Sequence, residues 1–226
     1  NDSFIQSAIE AYRIASERET NPALRKLSLQ YLAAAFGPDK LNDPGSAEPI
    51  VRNMIELEPN ESANYFVLSK IYEDSGRYEE AEGTLNQAKD ANPNDPGVYL
   101  QLAGFYNRLG EFELTIEALT ERAMREETNP EAYYTIATFF WEKAFRDFRL
   151  TDEEKLDHIL KGLEAVDKAI GLKDDYMEAL TYKNILLRME ANLEEDQDRV
   201  QALIAEADEL RDRAEELRAR AAGEVS

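Results

Sequence analysis

Residues 62–130 read SANYFVLSKIYEDSGRYEEAEGTLNQAKDANPNDPGVYLQLAGFYNRLGEFELTIEALTERAMREETNP, and they decide the fold. Tyr65, Leu68, Ser69, Tyr72, Gly76, Tyr78, Ala81 and Leu85 are answered thirty-four residues later by Tyr99, Leu102, Ala103, Tyr106, Gly110, Phe112, Thr115 and Leu119. A period of that length, with small residues at fixed places, is the signature of an array of helix–turn–helix pairs. A single pair cannot bury its apolar side, so pairs stack. Gly76 and Gly110 mark the tight turn within a pair, and Pro93 and Pro130 the break between pairs.

The remainder reads as the same unit, stretched or worn. Residues 22–60 form a degenerate repeat. One helix carries Leu24, Leu27, Tyr31, Leu32 and Ala35 on one side and stops at Gly37-Pro38, the glycine suiting a left-handed terminus. A second helix is expected from Ala47 to Leu57, capped by Ser46, with Ile50, Val51, Met54 and Ile55 inward. Residues 61–95 and 96–130 are regular repeats. Residues 131–174 form an enlarged one, whose second helix opens on a capping box, Thr151-Asp152-Glu153-Glu154.

Residues 175–226 end in a long helix with Val200, Leu203, Ala207, Leu210, Ala214, Leu217 and Ala221 at alternating steps of three and four. That seam suits a cap folded back on the array or a coiled coil with another chain. Residues 1–21, capped by Asp2 or Ser3, read as the second helix of a repeat. Phe4 precedes Pro22 by the same distance as Phe112 precedes Pro130, so the natural protein is expected to extend upstream of Asn1. The expected fold is all-α: a right-handed solenoid of about eleven helices forming a single array over 1–226.

The net charge of −21 opposes nucleic acid, which needs a basic face to displace counterions, and disfavours an anionic membrane surface. No apolar run approaches the roughly 18 residues of a membrane span. The absence of cysteine removes disulfides, thiol nucleophiles and thiolate metal sites. It fits export or the cytosol; the opening on Asn1 rather than Met is that of a processed or trimmed product and leans toward export.

Other chemistry finds little support. His158, the sole histidine, sits on a charged helix and reads as a surface or half-buried residue rather than a catalytic base. No carboxylate pair stands out from the many present. Asp90-Ala91-Asn92-Pro93-Asn94-Asp95 begins like a calcium loop, but Asp95 and Gln101 occupy the glycine and glutamate places, so an ordinary turn is expected. Asn60-Glu61-Ser62 and Asn1-Asp2-Ser3 match a glycosylation sequon; the former reads as a helix start. No cofactor and no metal is implied.

The pattern Tyr65-Leu68-Ser69-Tyr72-Ala81-Leu85-Ala88-Pro93 resembles the tetratricopeptide repeat (TPR) family. The likeness weakens after Phe112, returns at Tyr133-Ile136-Ala137-Phe140 and fades to Ala179-Leu180 and Leu187 in the last pair. The stretches Ala34–Pro44 and Gly162–Asn184 are similar to bacterial TPR proteins without assigned activity. The resemblance implies a protein-interaction scaffold whose groove is lined by the first helix of each pair. Matched residue by residue, the groove takes Phe66, Lys70, Leu100, Gly104, Asn107, Arg108, Tyr134, Thr138 and Trp141, extended by Thr181 and Arg188. Phe66 and Lys70 stand where the chaperone-binding subclass has Lys and Asn, so that carboxylate clamp is not reproduced. Trp141, within Phe139-Phe140-Trp141, is either packing against the long second helix or an aromatic anchor for a ligand. The expected partner is a peptide or helix of another protein; the alternative is an assembly subunit packed within a larger complex or homo-oligomer.

Overall fold

The structure, a computed structural model, describes residues 2–37 and 39–224, with side chains from Ile5 to Gly223. The expectations resting on Pro38 and on the side chains of Asn1, Asp2, Ser3 and Phe4 lie outside the described residues. Among those described there are eleven α-helices and no strand: α1 (Asp2–Arg18), α2 (Pro22–Phe36), α3 (Pro44–Leu57), α4 (Ser62–Asp74), α5 (Tyr78–Ala91), α6 (Pro96–Leu109), α7 (Phe112–Arg125), α8 (Pro130–Arg146), α9 (Asp152–Leu172), α10 (Met177–Ala191) and α11 (Gln197–Glu224). They divide into two compact units, Asn1–Leu109 and Gly110–Ser226; the boundary falls inside the 96–130 repeat.

In the first unit each helix packs on its successor, and α4 also meets α6. The repeat pattern is the core. Tyr65, Leu68, Tyr72, Ala81, Leu85, Ala88, Tyr99, Leu102 and Ala103 are all buried. The larger of these contribute about 1.5–3 kcal/mol each by leaving water. The period extends to hydrogen bonds: Tyr65 donates to the Pro59 carbonyl at 2.9 Å, and Tyr99 repeats the bond to Pro93 at 2.8 Å. Buried aromatic rings thus place their hydroxyls on the backbone between pairs, which satisfies both.

The turn after α4 is a Schellman motif. Gly76, at φ +72°, donates to Glu73, and Arg77 reaches back to Tyr72 at 2.8 Å. Asp95, in the segment that resembles a calcium loop, instead caps α6. Its carboxylate accepts the Gly97 N–H at 2.9 Å and the Ser62 hydroxyl at 2.6 Å, joining the starts of α4 and α6. Ser62 is therefore a buried first helical residue, which makes the Asn60 sequon a helix-start turn.

Several local expectations are corrected. The start of α3 is Pro44, not Ala47, and its cap is Asp43, which accepts the Ser46 N–H at 3.1 Å. Aspartate followed by proline is the stronger start signal, because the proline lacks an N–H that would be orphaned there. Gly37 is extended, with φ −65° and ψ 171°, not left-handed; the positive φ of this loop belongs to Asn42. On α2 the buried stripe is Ser28, Leu29, Leu32 and Ala35, whereas Leu24, Leu27 and Tyr31 stay 43–49% exposed. Tyr31 stacks on Tyr12 of α1 at 5.2 Å. On α3 the fully buried residues are Ala47, Val51 and Met54; Ile50 and Ile55 are half-buried. Helix α8 ends at Arg146, and α10 starts at Met177 with Tyr176 as its cap.

In the second unit α7 packs on α8, α8 on α9 and α10, and α9 on α10. The capping box at Thr151 is complete: Glu154 N–H donates to the threonine hydroxyl at 3.2 Å and Thr151 N–H to the glutamate at 2.8 Å. Gly162 permits a close helix approach, since a Cβ there would lie 3.2 Å from Leu186 Cδ1 and 3.3 Å from Phe140 Cβ. Helix α11 packs on α10 through Leu203, Ala207 and Ala214. Lys183 of α10 bridges Asp167 of α9 at 2.9 Å and Glu206 of α11 at 2.7 Å. Burial opposes its charge, but the two carboxylates outweigh that and raise its pKa.

Candidate partner-binding surfaces

The sequence-derived groove residues fall in both units, and each set stands on its own geometry. In the first unit α2, the 37–43 loop, α3 and α4 enclose an open groove of about 830 Å3. Phe66 and Lys70 line it, as the repeat register implies. So do Val67, Ile71, Ala33, Ala34 and Phe36, which leave it mostly apolar, with the amides of Gln30, Asn42, Asn64 and Gln101 and the charges of Asp39, Lys40, Lys70 and Asp74 among its polar members. Val67 is 45% exposed although it lies on a core helix. The α2 and loop residues were not singled out from sequence. Their signal, an apolar run ending in a long internal loop, marks a helix stop in the sequence and a groove wall in the fold.

Helix α6 carries Leu100, 42% exposed, with Gly104 half-buried and Asn107 and Arg108 exposed. None of the four lines the 830 Å3 groove; from this helix Gln101 does. Both cations picked for partner contacts are already engaged. Lys70 pairs with Asp74 at 2.5 Å, and Arg108 makes a two-point bridge to Glu73.

In the second unit Tyr134 and Trp141 belong to a ribbon of five rings on α8, on α10 and at the α10 N-cap. Tyr134 meets Tyr176 at 5.2 Å and Tyr182 at 5.4 Å; Tyr182 meets Trp141 edge-on at 5.3 Å; Trp141 stacks on Phe145 at 5.4 Å with planes 10° apart. Trp141 therefore packs toward α10 and its own helix. All but Phe145 are half-buried, and Phe145 is 66% exposed. Burial, aided by Tyr182, Tyr176 and Glu178, pushes the Tyr134 hydroxyl up to about 12. The indole N–H of Trp141 is buried with no acceptor among the described groups. Thr138 turns its hydroxyl to the Thr135 carbonyl, Thr181 to that of Met177, and Arg188 pairs with Asp208 at 2.6 Å. Tyr176 and Tyr182 escaped the sequence reading because the last pair has lost most of its repeat pattern.

His158 is half-buried between Phe112, at 5.4 Å, and Phe140, at 6.0 Å. Burial lowers its pKa, and its Nδ1 has no hydrogen-bond partner among the described groups. Among the described residues no cluster of three or more His, Asp or Glu side chains could hold a metal ion, and no helix is long and apolar enough to cross a membrane.

Residues 40–104 match the tetratricopeptide repeat family. That stretch carries the tetratricopeptide signature; the match spans less than a third of the chain. Solved TPR structures have a similar fold. The C-terminal part of a TPR repeat-containing protein from Cytophaga hutchinsonii gives a TM-score of 0.61 at 14% identity, over 92% of this chain and 75% of that one. MamA gives 0.57 at 17% identity, over 88% and 94%. YrrB, described as a TPR protein with an unusual peptide-binding site, gives 0.51 at 14% identity, over 93% and 99%. Such identities speak for the fold alone, which is all-α and similar to that of TPR α-solenoids. No curated protein matches this chain in sequence.

Proposed function

We propose that this TPR chain is a protein-interaction scaffold that takes a peptide or helix of a partner protein on the faces of its first helices. The observation that carries the reading is the 830 Å3 groove walled by α2 and α4. Its volume falls within the roughly 300–1,000 Å3 of pockets that bury a ligand. Val67 and Ile71, on α4, offer apolar surface there, and Phe66 with Lys70 adds an aromatic face and the stem of a charged chain. The likeness to YrrB agrees with a peptide as occupant.

The test replaces Val67 by arginine. The side chain is 45% exposed, so the fold should tolerate it, while the groove gains a charge and loses volume. Crosslinks from a photoreactive residue at Ile71 should map the native partner to α2 and α4. Val67→Arg should abolish that crosslink with an unchanged melting temperature. Undiminished crosslinking would move the site off this groove.

A further inference from the structure

We propose that the aromatic ribbon Tyr176–Tyr134–Tyr182–Trp141–Phe145 of the second unit recognises a basic, arginine-bearing segment of a partner. This rests on the scaffold reading and adds a chemical class to it. Ring faces attract cations through their quadrupole, and tryptophan and tyrosine do so most strongly. A planar guanidinium also stacks on them, which a compact ammonium does not.

Three observations support a cationic occupant over a neutral one. The ribbon already holds one cation at its end, since Lys173 Nζ lies 5.1 Å from the Tyr176 ring centre. Two exposed carboxylates, Glu131 and Glu178, act electrostatically on Tyr176, and Glu178 also on Tyr134. Neither takes part in an ion pair among the described residues, whereas the cations Lys143, Arg146, Lys183 and Arg188 of α8 and α10 are each matched by a carboxylate. The whole chain carries −21, so a basic segment is also drawn in from a distance.

Trp141 is the sole tryptophan, so its fluorescence reports on this site alone. The probe is an end-blocked hexapeptide of alternating arginine and glycine. It is titrated into the full chain at physiological salt, where the Debye length of about 8 Å screens remote charges. A saturable change in emission is expected. Binding should weaken about fivefold in a Glu131→Gln, Glu178→Gln double variant and at least as much in Tyr134→Ala, the scale of a lost cation–π or charge contact. The glutamines are on exposed positions, so the double variant reads the proposal even if Tyr134→Ala fails to fold. A glutamate–glycine counterpart should give no change. No change with the arginine peptide, equal affinity in the glutamine variant, or an equal response to hexaproline overturns the assignment; partner capture through the α2–α4 groove is unaffected by any of these.

Discussion

Arg108 of α6 grips Glu73 of α4 at two points, its Nε and Nη2 donating to the two carboxylate oxygens at 2.5 and 2.8 Å. The partners differ in exposure: the arginine side chain is 51% exposed, the carboxylate 11%. An exposed bridge adds only about 0–1 kcal/mol, but an acceptor left buried and unmatched costs about 1–3 kcal/mol. Arg108→Ala should therefore destabilise the chain by about 1–2 kcal/mol in urea unfolding. Adding Glu73→Gln should return part of that loss. Additive single effects would show that the two helices are held by apolar packing alone.

Gly76 and Gly83, seven residues apart, separate two uses of glycine. At both, a Cβ would meet nothing within 4 Å, but only Gly76 has positive φ, +72°. Gly76→Ala should cost about 1–2 kcal/mol through the backbone alone. Gly83→Ala, inside α5, should stabilise by about 0.5–1 kcal/mol, because the unfolded chain loses freedom. Thermal unfolding of the two variants should move in opposite directions.

The legible and illegible parts of this chain differ in what enforces them. Tyr65 and Tyr99 repeat because each must fill the same hole and reach the same proline carbonyl, so core and period were readable from letters alone. The capping box at Thr151 was readable because it is closed within four residues. The α2–α4 groove was half-readable: register gave Phe66 and Lys70, but its other wall depends on where the 37–43 loop travels, which no local pattern states. On α2 the periodic stripe included Leu24, Leu27 and Tyr31, since helical spacing alone does not say which of two adjacent apolar faces a neighbour covers. The ribbon was missed at Tyr176 and Tyr182 because it is assembled from two helices, one with its motif worn away.

His158 gives a pH-dependent signature. Its pKa lies below the ordinary 6.5, through burial first and then through Lys161 and Lys143, opposed by Asp157 and Glu113. A depressed histidine binds its proton later in the folded chain than in the unfolded one. Its contribution to stability is thus present above 6.5 and lost as pH falls through that value toward the folded pKa. The single histidine signal in proton NMR should titrate with a midpoint below 6.5. His158→Phe, which keeps a ring between Phe112 and Phe140, should remove this loss, so the two chains' stabilities should converge at neutral pH and part in acid. A midpoint at or above 6.5 would contradict the burial.

Helix α11 tests whether the last element is a cap. Its 28 residues span about 42 Å, against about 22 Å for the 15 of α10, so its final turns outrun the helix it lies on. Contact is made through small residues: Ala207 is 0% exposed and Ala214 5%, with Leu203 at 8%. Alanines let the two backbones approach, and the Lys183–Glu206 and Arg188–Asp208 pairs fix the register from either side. A leucine at 207 has no room, and overpacking of this kind costs about 1–3 kcal/mol. Ala205, on the exposed face, should accept leucine within about 0.5 kcal/mol. Urea unfolding should rank Ala207→Leu well below Ala205→Leu, and hydrogen exchange should show α10 amides opening faster only in the former. Equal effects would mean that α11 does not rest on α10 in solution, and a doubled hydrodynamic mass that fell on deleting residues 197–224 would assign the seam to a second chain instead.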